Sequence, residues 1–361
     1  MTHTGPVRMA IVGCGGISHA HAKAAARIPA TIQFVACCDV RQDAARAWAD
    51  TYGCRSAYAD YTEMIAKEEL DGVLLATWPN QHREQIEICL AAGVRHILCE
   101  KALCLTGREA TDIWNLVRTH GAFLMEGFMY RHHPAIRQLE ALLASGELGP
   151  VDSVRADFSA FDAEKEAATD TARNWRQRKE CGGGIPYDFA CYCVNACSHF
   201  AGGVPVRVYC RGGTSPAYGT INRMHALIEY GNNCVGFVES SKKADLSQRL
   251  EIVCARGRVV LPVSWTVYGE GEIHDQRSSG WVKYRQSVHA FQPADAYQLQ
   301  LENFAAVVRG EDKAAMPLIE SVLNAFTVEA LVCSLQENCP VEIRLPPEIA
   351  TSVTVGQADH P

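Results

Sequence analysis

The passage from Ala10 to Ser18 constrains this chain most, because the apolar run Ala10-Ile11-Val12 turns directly into Gly13-Cys14-Gly15-Gly16-Ile17-Ser18. A strand that ends in glycines and continues as a helix has few uses. Gly13 permits a tight turn and Gly15 lets the backbone approach a ligand closely. The third position, here Ser18, must be small for the helix to pack on the strand. Helix amides without intrahelical partners then face whatever lies above the turn, which favours an anion such as a pyrophosphate. The motif gains weight only from the chain downstream of it. Here that is the alanine-rich segment His19 to Ile28, free of proline and glycine, a buried-strand pattern at Ile32 to Cys38, and Asp39 at the end of that strand.

This strand-helix-strand unit predicts a dinucleotide site with Gly13, Gly15, Gly16 and Ile17 in the phosphate loop. Asp39 can accept hydrogen bonds from a ribose 2′-hydroxyl and would repel a 2′-phosphate, so NAD is expected ahead of NADP. Arg41 argues the other way, since it could pair with a phosphate.

Strand and helix patterns go on alternating. Helices are expected at Asp43 to Tyr52, Tyr61 to Lys67 and Gln81 to Ala92, and strands at Gly72 to Ala76, His96 to Cys99 and Ala122 to Glu126. Such alternation implies a doubly wound parallel sheet, a Rossmann domain over residues 1–128. From Pro134 the pattern changes to one helix, a long strand from Val151 to Phe161, and, after about Val206, alternating strands. Their clearest turns are Tyr230-Gly231-Asn232-Asn233 and Arg256-Gly257. The fold class is therefore α/β plus α+β, with a mostly antiparallel, open-faced sheet in a substrate and oligomerisation domain over residues 129–345. Helices at Ala296 to Arg309 and Ile319 to Glu337 complete that domain, and residues 346–361 read as a polar tail. An antiparallel sheet can leave one face for a partner, so a homo-oligomer is expected.

A net charge of -7 with no basic patch argues against nucleic acid or an anionic membrane as partner. Met1 to Arg8 has no apolar core of a signal peptide, so a cytoplasmic protein is expected. The 16 cysteines then read as reduced, mostly core residues. Cys191, Cys193, Cys197 and His199 are suitable zinc ligands by type. On one helix only Cys193 and Cys197 share a face, and no metal is expected.

Lys101 lies just past the strand His96 to Cys99, at the carboxyl edge where doubly wound sheets place their ligands. An ammonium there would stabilise alkoxide charge, and a lysine with its pKa lowered by burial could accept a proton. Asp188 and Tyr192 come after Gly182-Gly183-Gly184 and stand four residues apart, on one face of a helix. Asp188 can orient a hydroxyl or cap the helix. Tyr192 can handle a proton if a neighbouring ammonium lowers its pKa from about 10, or it can be a core aromatic. Tyr130, Arg131, His132 and His133 form a polar cluster just past the last strand of the first domain, suited to substrate hydroxyls.

Taken in order, the glycine turn with His21, Ala76-Thr77-Trp78-Pro79-Asn80-Gln81-His82, Cys99-Glu100-Lys101, Trp175-Arg176, and the glycine run with Asp188 and Tyr192 after it resemble a known family. It is that of glucose-fructose oxidoreductase, inositol dehydrogenase and MocA-like oxidoreductases, and the resemblance runs from about Arg8 to Glu342. It implies an NAD-dependent oxidoreductase acting on a sugar, glycoside or cyclic polyol. Thr77, Trp78, Asn80, His82, Glu100, Lys101, Trp175 and Arg176 would border the cofactor. Lys101, Tyr130, Arg131, Trp175, Asp188 and Tyr192 would meet the substrate, with Lys101 and Tyr192 sharing the proton transfer and Asp188 orienting the sugar.

Many family members carry histidine at the Tyr192 position, and the tyrosine version is similar to the glucose-fructose oxidoreductase and dihydrodiol dehydrogenase branches. The family usually places proline after its lysine, often across a cis bond. Here Ala102 takes that place, which leaves both a cis and a trans arrangement open. Two rival readings are an NAD-dependent glycoside hydrolase working by transient sugar oxidation and a non-catalytic NAD-binding regulator. The presence of both the lysine and the aspartate counts against the regulator.

Overall fold

A computed structural model of the chain describes residues 5–161, 174–265, 271–278 and 284–358. They divide into two compact units, the first comprising Met1–Cys104, Arg108–His132 and Asp295–Leu318. Its strands are β1 (Val7–Val12), β2 (Ile32–Cys38), β3 (Ser56–Tyr58), β4 (Gly72–Leu75), β5 (His96–Cys99) and β6 (Phe123–Glu126). They pair in parallel in the order β3-β2-β1-β4-β5-β6. This is the doubly wound order, and it reverses between β1 and β4, where such sheets hold their ligands. Met9, Ile11, Leu74, Leu75, Ile97 and Leu98 are fully buried, as central strands covered on both faces require.

Helices α1 (Gly16–Ala25), α2 (Gln42–Tyr52), α3 (Tyr61–Lys67), α4 (Pro79–Ala91) and α5 (Gly107–Thr119) connect the strands. Helix α4 starts two residues earlier than its apolar spacing suggests, because Pro79 suits a first helical position, where no N–H is needed. Strand β3, with only three residues, is too short to show a pattern in the sequence.

One segment assigned by sequence to the second domain belongs to the first unit. Helix α8 (Ala296–Val308) packs on α1 and on the 3-10 turn Met129–His132. The Phe304 ring lies 5.6 Å from Phe123, and Tyr297 meets His21 edge-on at 5.1 Å. Apolar spacing shows that a helix buries one face, but not which core receives it.

The second unit comprises Leu105–Gly107, His133–Ala294 and Ile319–Pro361. Its strands are β7 (Val151–Ser159), β8 (Pro205–Thr214), β9 (Ile221–Tyr230), β10 (Val235–Ser241), β11 (Leu250–Cys254), β12 (Gly257–Leu261), β13 (Gly271–Ser278), β14 (Tyr284–Phe291) and β15 (Val341–Glu342). Their order is β14-β13-β12-β11-β7-β10-β9-β8-β15, antiparallel except for the parallel pair β7 and β10. Helix α7 (Cys191–Ala201) packs against β7 and β10. On the sheet, the register sets Tyr209, Leu227, Phe237, Arg155, Glu251 and Val260 in one row across neighbouring strands. Tyr209 and Phe237 in that row are exposed.

Helices α6 (Pro134–Ala144) and α9 (Leu318–Glu337) also contribute to this unit. By length and composition α9 could cross a membrane, but 56% of its most apolar window is buried inside the protein. Val322 and Leu331 are fully buried. The expected polar tail also needs correction: Pro347–Ala358 forms helix α10, with Ile349 fully buried and Val353 8% exposed. Two apolar residues four apart make a narrow helical stripe that the polar composition around them hides.

Candidate active site

The first unit builds its candidate residues on backbone contacts. Gly13 has φ +95°, and a Cβ there would lie 2.7 Å from the Ala76 carbonyl oxygen. Its N–H donates to the Cys38 carbonyl at 2.8 Å, so the turn ties the end of β1 to β2 and leaves space only for glycine. Gly15 and Gly16 are exposed, and a Cβ on either would meet nothing within 4 Å. No side chain caps α1 at Gly15, so its first amides form an open cradle that fits a diphosphate. Ile17 comes next, half-buried. Ser18 does more than stay small: its hydroxyl donates to the Gly15 carbonyl at 2.5 Å and accepts from Trp48 Nε1 at 3.0 Å, locking the turn to α2.

At the end of β2, Asp39 accepts through Oδ2 from the Cys14 N–H at 3.0 Å and through Oδ1 from the Arg41 N–H at 2.9 Å. The carboxylate is thus pinned beside the glycine turn, half-buried, while the Arg41 side chain is exposed.

At the end of β4, the Thr77 hydroxyl donates to Gln85 Oε1 at 2.5 Å. Trp78 is half-buried and Asn80 is exposed in the first turn of α4. His82 is fully buried, with Nδ1 3.1 and 3.2 Å from the Ala102 and Leu103 carbonyl oxygens and Nε2 3.3 Å from that of Thr77. Burial outweighs those carbonyls and holds its pKa below the usual histidine value, so the ring is neutral. It clamps the turn after β4 to the segment after β5.

Lys101 stands at the end of β5, half-buried. Glu100, 4% exposed, accepts from the Lys101 N–H through Oε2 at 3.1 Å and pairs with His21 Nε2 through Oε1 at 2.7 Å. The Lys101–Ala102 peptide is cis, one of the two arrangements left open by Ala102. Beyond it, the Leu103 N–H donates to Glu126 Oε1 at 2.7 Å. Glu100, which the family resemblance sets beside the cofactor, thus also holds the lysine's backbone.

Tyr130 and Arg131, expected at the substrate, are 1% and 2% exposed. The Arg131 guanidinium donates to the Ala315 carbonyl at 3.0 Å and lies 3.3 Å from the Met316 sulfur, tying the turn after β6 to the returning segment.

The second unit builds with charge. In the 3-10 turn Trp175–Gln177, the Asn174 side chain accepts from the Arg176 N–H, and the Arg176 guanidinium stacks 4.9 Å from the centre of the Trp175 ring. Arg176 Nε donates to Asp188 Oδ2 at 2.8 Å, and Lys242 Nζ lies 3.5 Å from the same oxygen. Asp188 is 3% exposed. Glycine at 183 makes this packing possible, because a Cβ there would sit 2.6 Å from the carbonyl oxygens of both Trp175 and Arg178.

Asp188 does not sit on a continuous α-helix with Tyr192. It lies in a π turn, Pro186–Ala190, that leads into α7, a wider winding that three- and four-residue spacing cannot reveal. Tyr192 begins the α-helical part and is 6% exposed, its ring edge-on to Phe158 at 5.6 Å and 6.0 Å from Trp265.

Sequence reasoning missed Lys242, which lies just past β10, far along the chain from Asp188. Only the sheet brings the two together. The role of His21 beneath Glu100 was equally hidden, since its partner lies in another strand-helix unit.

Among the described residues, no three His, Cys, Asp or Glu side chains form a metal-holding group. His199 instead pairs with Glu140 at 2.8 Å, and burial pushes the Cys193 and Cys197 thiols up.

Comparison with known proteins agrees with this construction. Residues 7–128 match the model of an oxidoreductase family with an NAD-binding Rossmann fold, and residues 136–260 match the C-terminal domain model of the same family. D-xylose 1-dehydrogenase (NADP(+)) 2 of Haloferax volcanii is 30% identical over 303 residues, 83% of this chain and 88% of that protein. Trans-1,2-dihydrobenzene-1,2-diol dehydrogenase of Xenopus tropicalis is 27% identical over 254 residues, 70% of this chain and 74% of that one. Levoglucosan dehydrogenase in complex with NADH shares the fold with a TM-score of 0.83 at 19% identity, covering 94% of this chain and 100% of its own. A 3-ketoreductase from Actinomadura kijaniata, in complex with NADP and TDP-benzene, does so with a TM-score of 0.80 at 22% identity, covering 91% and 98%. Because the two family models span most of the chain in the order in which its two sheets occur, the chain belongs to the GFO/IDH/MocA oxidoreductase family, with a nicotinamide dinucleotide-binding Rossmann fold in its first unit.

Proposed function

We propose that the protein is an NAD-dependent dehydrogenase that oxidises a hydroxyl-bearing carbon of a sugar, glycoside or cyclic polyol. The observation that carries this reading is Lys101, placed at the carboxyl end of β5 on a backbone held by the buried Glu100 carboxylate. A nicotinamide dinucleotide bound at the Gly13–Ser18 turn supplies the hydride-accepting carbon. Lys101 offers its ammonium to the substrate oxygen and stabilises the alkoxide charge that develops as the hydroxyl proton leaves, before hydride departs from the carbon. Tyr192 shares the proton with Lys101, and Asp188 orients the substrate through the cations it gathers, Arg176 and Lys242.

The relatives support the substrate class, since their names describe dehydrogenation of xylose and of a cyclic diol. Preference for NAD rests on Asp39, whose pinned carboxylate suits a ribose hydroxyl and repels a 2′-phosphate. The test is an absorbance spectrum of the purified protein for retained nicotinamide, then a screen of NAD and NADP reduction over sugars, polyols and glycosides. NAD reduction with at least one of these alcohols is expected, faster than NADP reduction. No reduction with any of them, and no oxidation of NADH by keto-sugars, would contradict the proposal. Glycoside cleavage without accumulation of NADH would assign a hydrolase instead.

The row carrying Tyr209 and Phe237 also supports a homo-oligomer built on the sheet of the second unit. Phe237→Glu should then shift the protein to monomer in light scattering. An unchanged mass would remove this face from the interface.

A further inference from the structure

A cleft in the second unit lies beside Asp188 and includes the two cations that Asp188 gathers, Arg176 and Lys242. Its lining comprises Arg176, Lys242, Asn222, Thr220, Ser215 and Gln177, with Asn174, Gly184, Tyr218 and Ile221. Among the described residues of this lining, two side chains are cations and none is acidic. The carboxylate on which the two cations meet, Asp188, is not part of the lining.

The site is built rather than incidental. Ser215, Thr220, Asn222 and Gln177 are polar yet only 5%, 5%, 6% and 8% exposed. Gly184, at φ +104°, lets the chain press against the start of β9, where a Cβ would fall 2.7 Å from the Ile221 carbonyl oxygen. Between β8 and β9 the Ser215 N–H donates to the Thr220 carbonyl at 2.8 Å, closing the loop that forms the far wall.

Chemistry selects the ligand. Lysine and arginine side chains only donate hydrogen bonds, whereas hydroxyls and amides can do either. A neutral sugar presents hydroxyl hydrogens that also need acceptors, and sites for it commonly supply a carboxylate. A lining whose described residues include two cations and no carboxylate is matched by a group that only accepts, a carboxylate or a phosphate. We propose that this cleft is an oxyanion subsite and that the substrate is an acidic sugar, carrying a carboxylate or phosphate away from the carbon that is oxidised. This deepens the dehydrogenase reading and rests on its assignment of a sugar substrate.

The experiment is titration calorimetry on the full chain saturated with NAD, comparing glucose with glucuronate and glucose 6-phosphate, and galactose with galacturonate and galactose 6-phosphate. In at least one series an anionic sugar should bind about tenfold or more tighter than its neutral parent, as one charge-assisted hydrogen bond would give. Which anion gains more identifies carboxylate or phosphate as the natural group. Asn222→Asp, which places a carboxylate in the lining, and Lys242→Gln should each erase the advantage, with folding checked by circular dichroism. Neutral sugars binding as tightly as both anions would overturn the subsite while leaving the dehydrogenase intact. So would an advantage that survives in folded Asn222→Asp protein. Absence of binding by every sugar, charged or neutral, would overturn the sugar reading itself and the subsite with it.

Discussion

The two units use carboxylates in opposite ways. In the first, Glu100 and Asp39 receive backbone N–H groups, from Lys101 in one case and from Cys14 and Arg41 in the other. In the second, Asp188 receives side-chain cations, Arg176 and Lys242. A carboxylate bound to backbone fixes the chain's path and leaves neighbouring side chains for ligand. A carboxylate bound to cations fixes charge in space. The first kind of site is therefore set by local backbone geometry, the second by long-range electrostatics, and perturbations should separate them.

The largest effect falls on the backbone-built half. Gly13→Ala places a side chain at φ +95° and within 2.7 Å of the Ala76 oxygen, and should cost about 2–3 kcal/mol of stability, in the range for strained backbone. Urea unfolding checks this, and a loss of only a few tenths would show that the turn has slack. The charge-built half comes next. Asp188→Asn leaves two cations without their shared negative charge and should destabilise by about 1–2 kcal/mol, below the figure for a fully buried pair because Arg176 is 41% exposed. The loss should shrink in high salt, whereas that of Gly13→Ala should not.

Smaller effects sharpen the contrast. Glu100→Gln keeps the shape beneath Lys101 but removes the charge facing His21, and should lower kcat about tenfold with little change in sugar KM, as modest misplacement of a reacting group does. An unchanged kcat would mean the lysine is placed by other contacts. The smallest is a pH effect. Burial depresses the His82 pKa in the fold, so the unfolded chain takes up the proton first. The stability tied to this ring is complete above about pH 6.5 and falls as pH drops below it. Melting temperatures between neutral and mildly acidic pH should decline less steeply in His82→Gln. Parallel curves would show that other groups govern the slope.

The same contrast explains what the sequence could reveal. The glycine turn, Asp39 and the position of Lys101 are legible because a strand, a turn and a helix within a few residues determine them. Ser18 is legible as a small residue but not as the partner of Trp48, which belongs to the next helix. The cation pair on Asp188 is invisible until β10 is placed in the sheet, since nothing near Lys242 marks it. The π turn escapes because it changes the winding without changing composition. Helix α8 is recognisable as a helix, yet its membership in the first unit depends on contacts with α1 that no spacing encodes.

In the proposed mechanism Lys101 carries charge and proton in sugar oxidation, and single-turnover kinetics probe that role. NAD-loaded Lys101→Ala protein is mixed with the best alcohol from the screen, and formation of reduced nicotinamide is monitored. The rate should fall by about a thousandfold or more, the range for losing a charge-stabilising, proton-handling group, with NAD still bound. Reduction at the wild-type rate in that variant would contradict it.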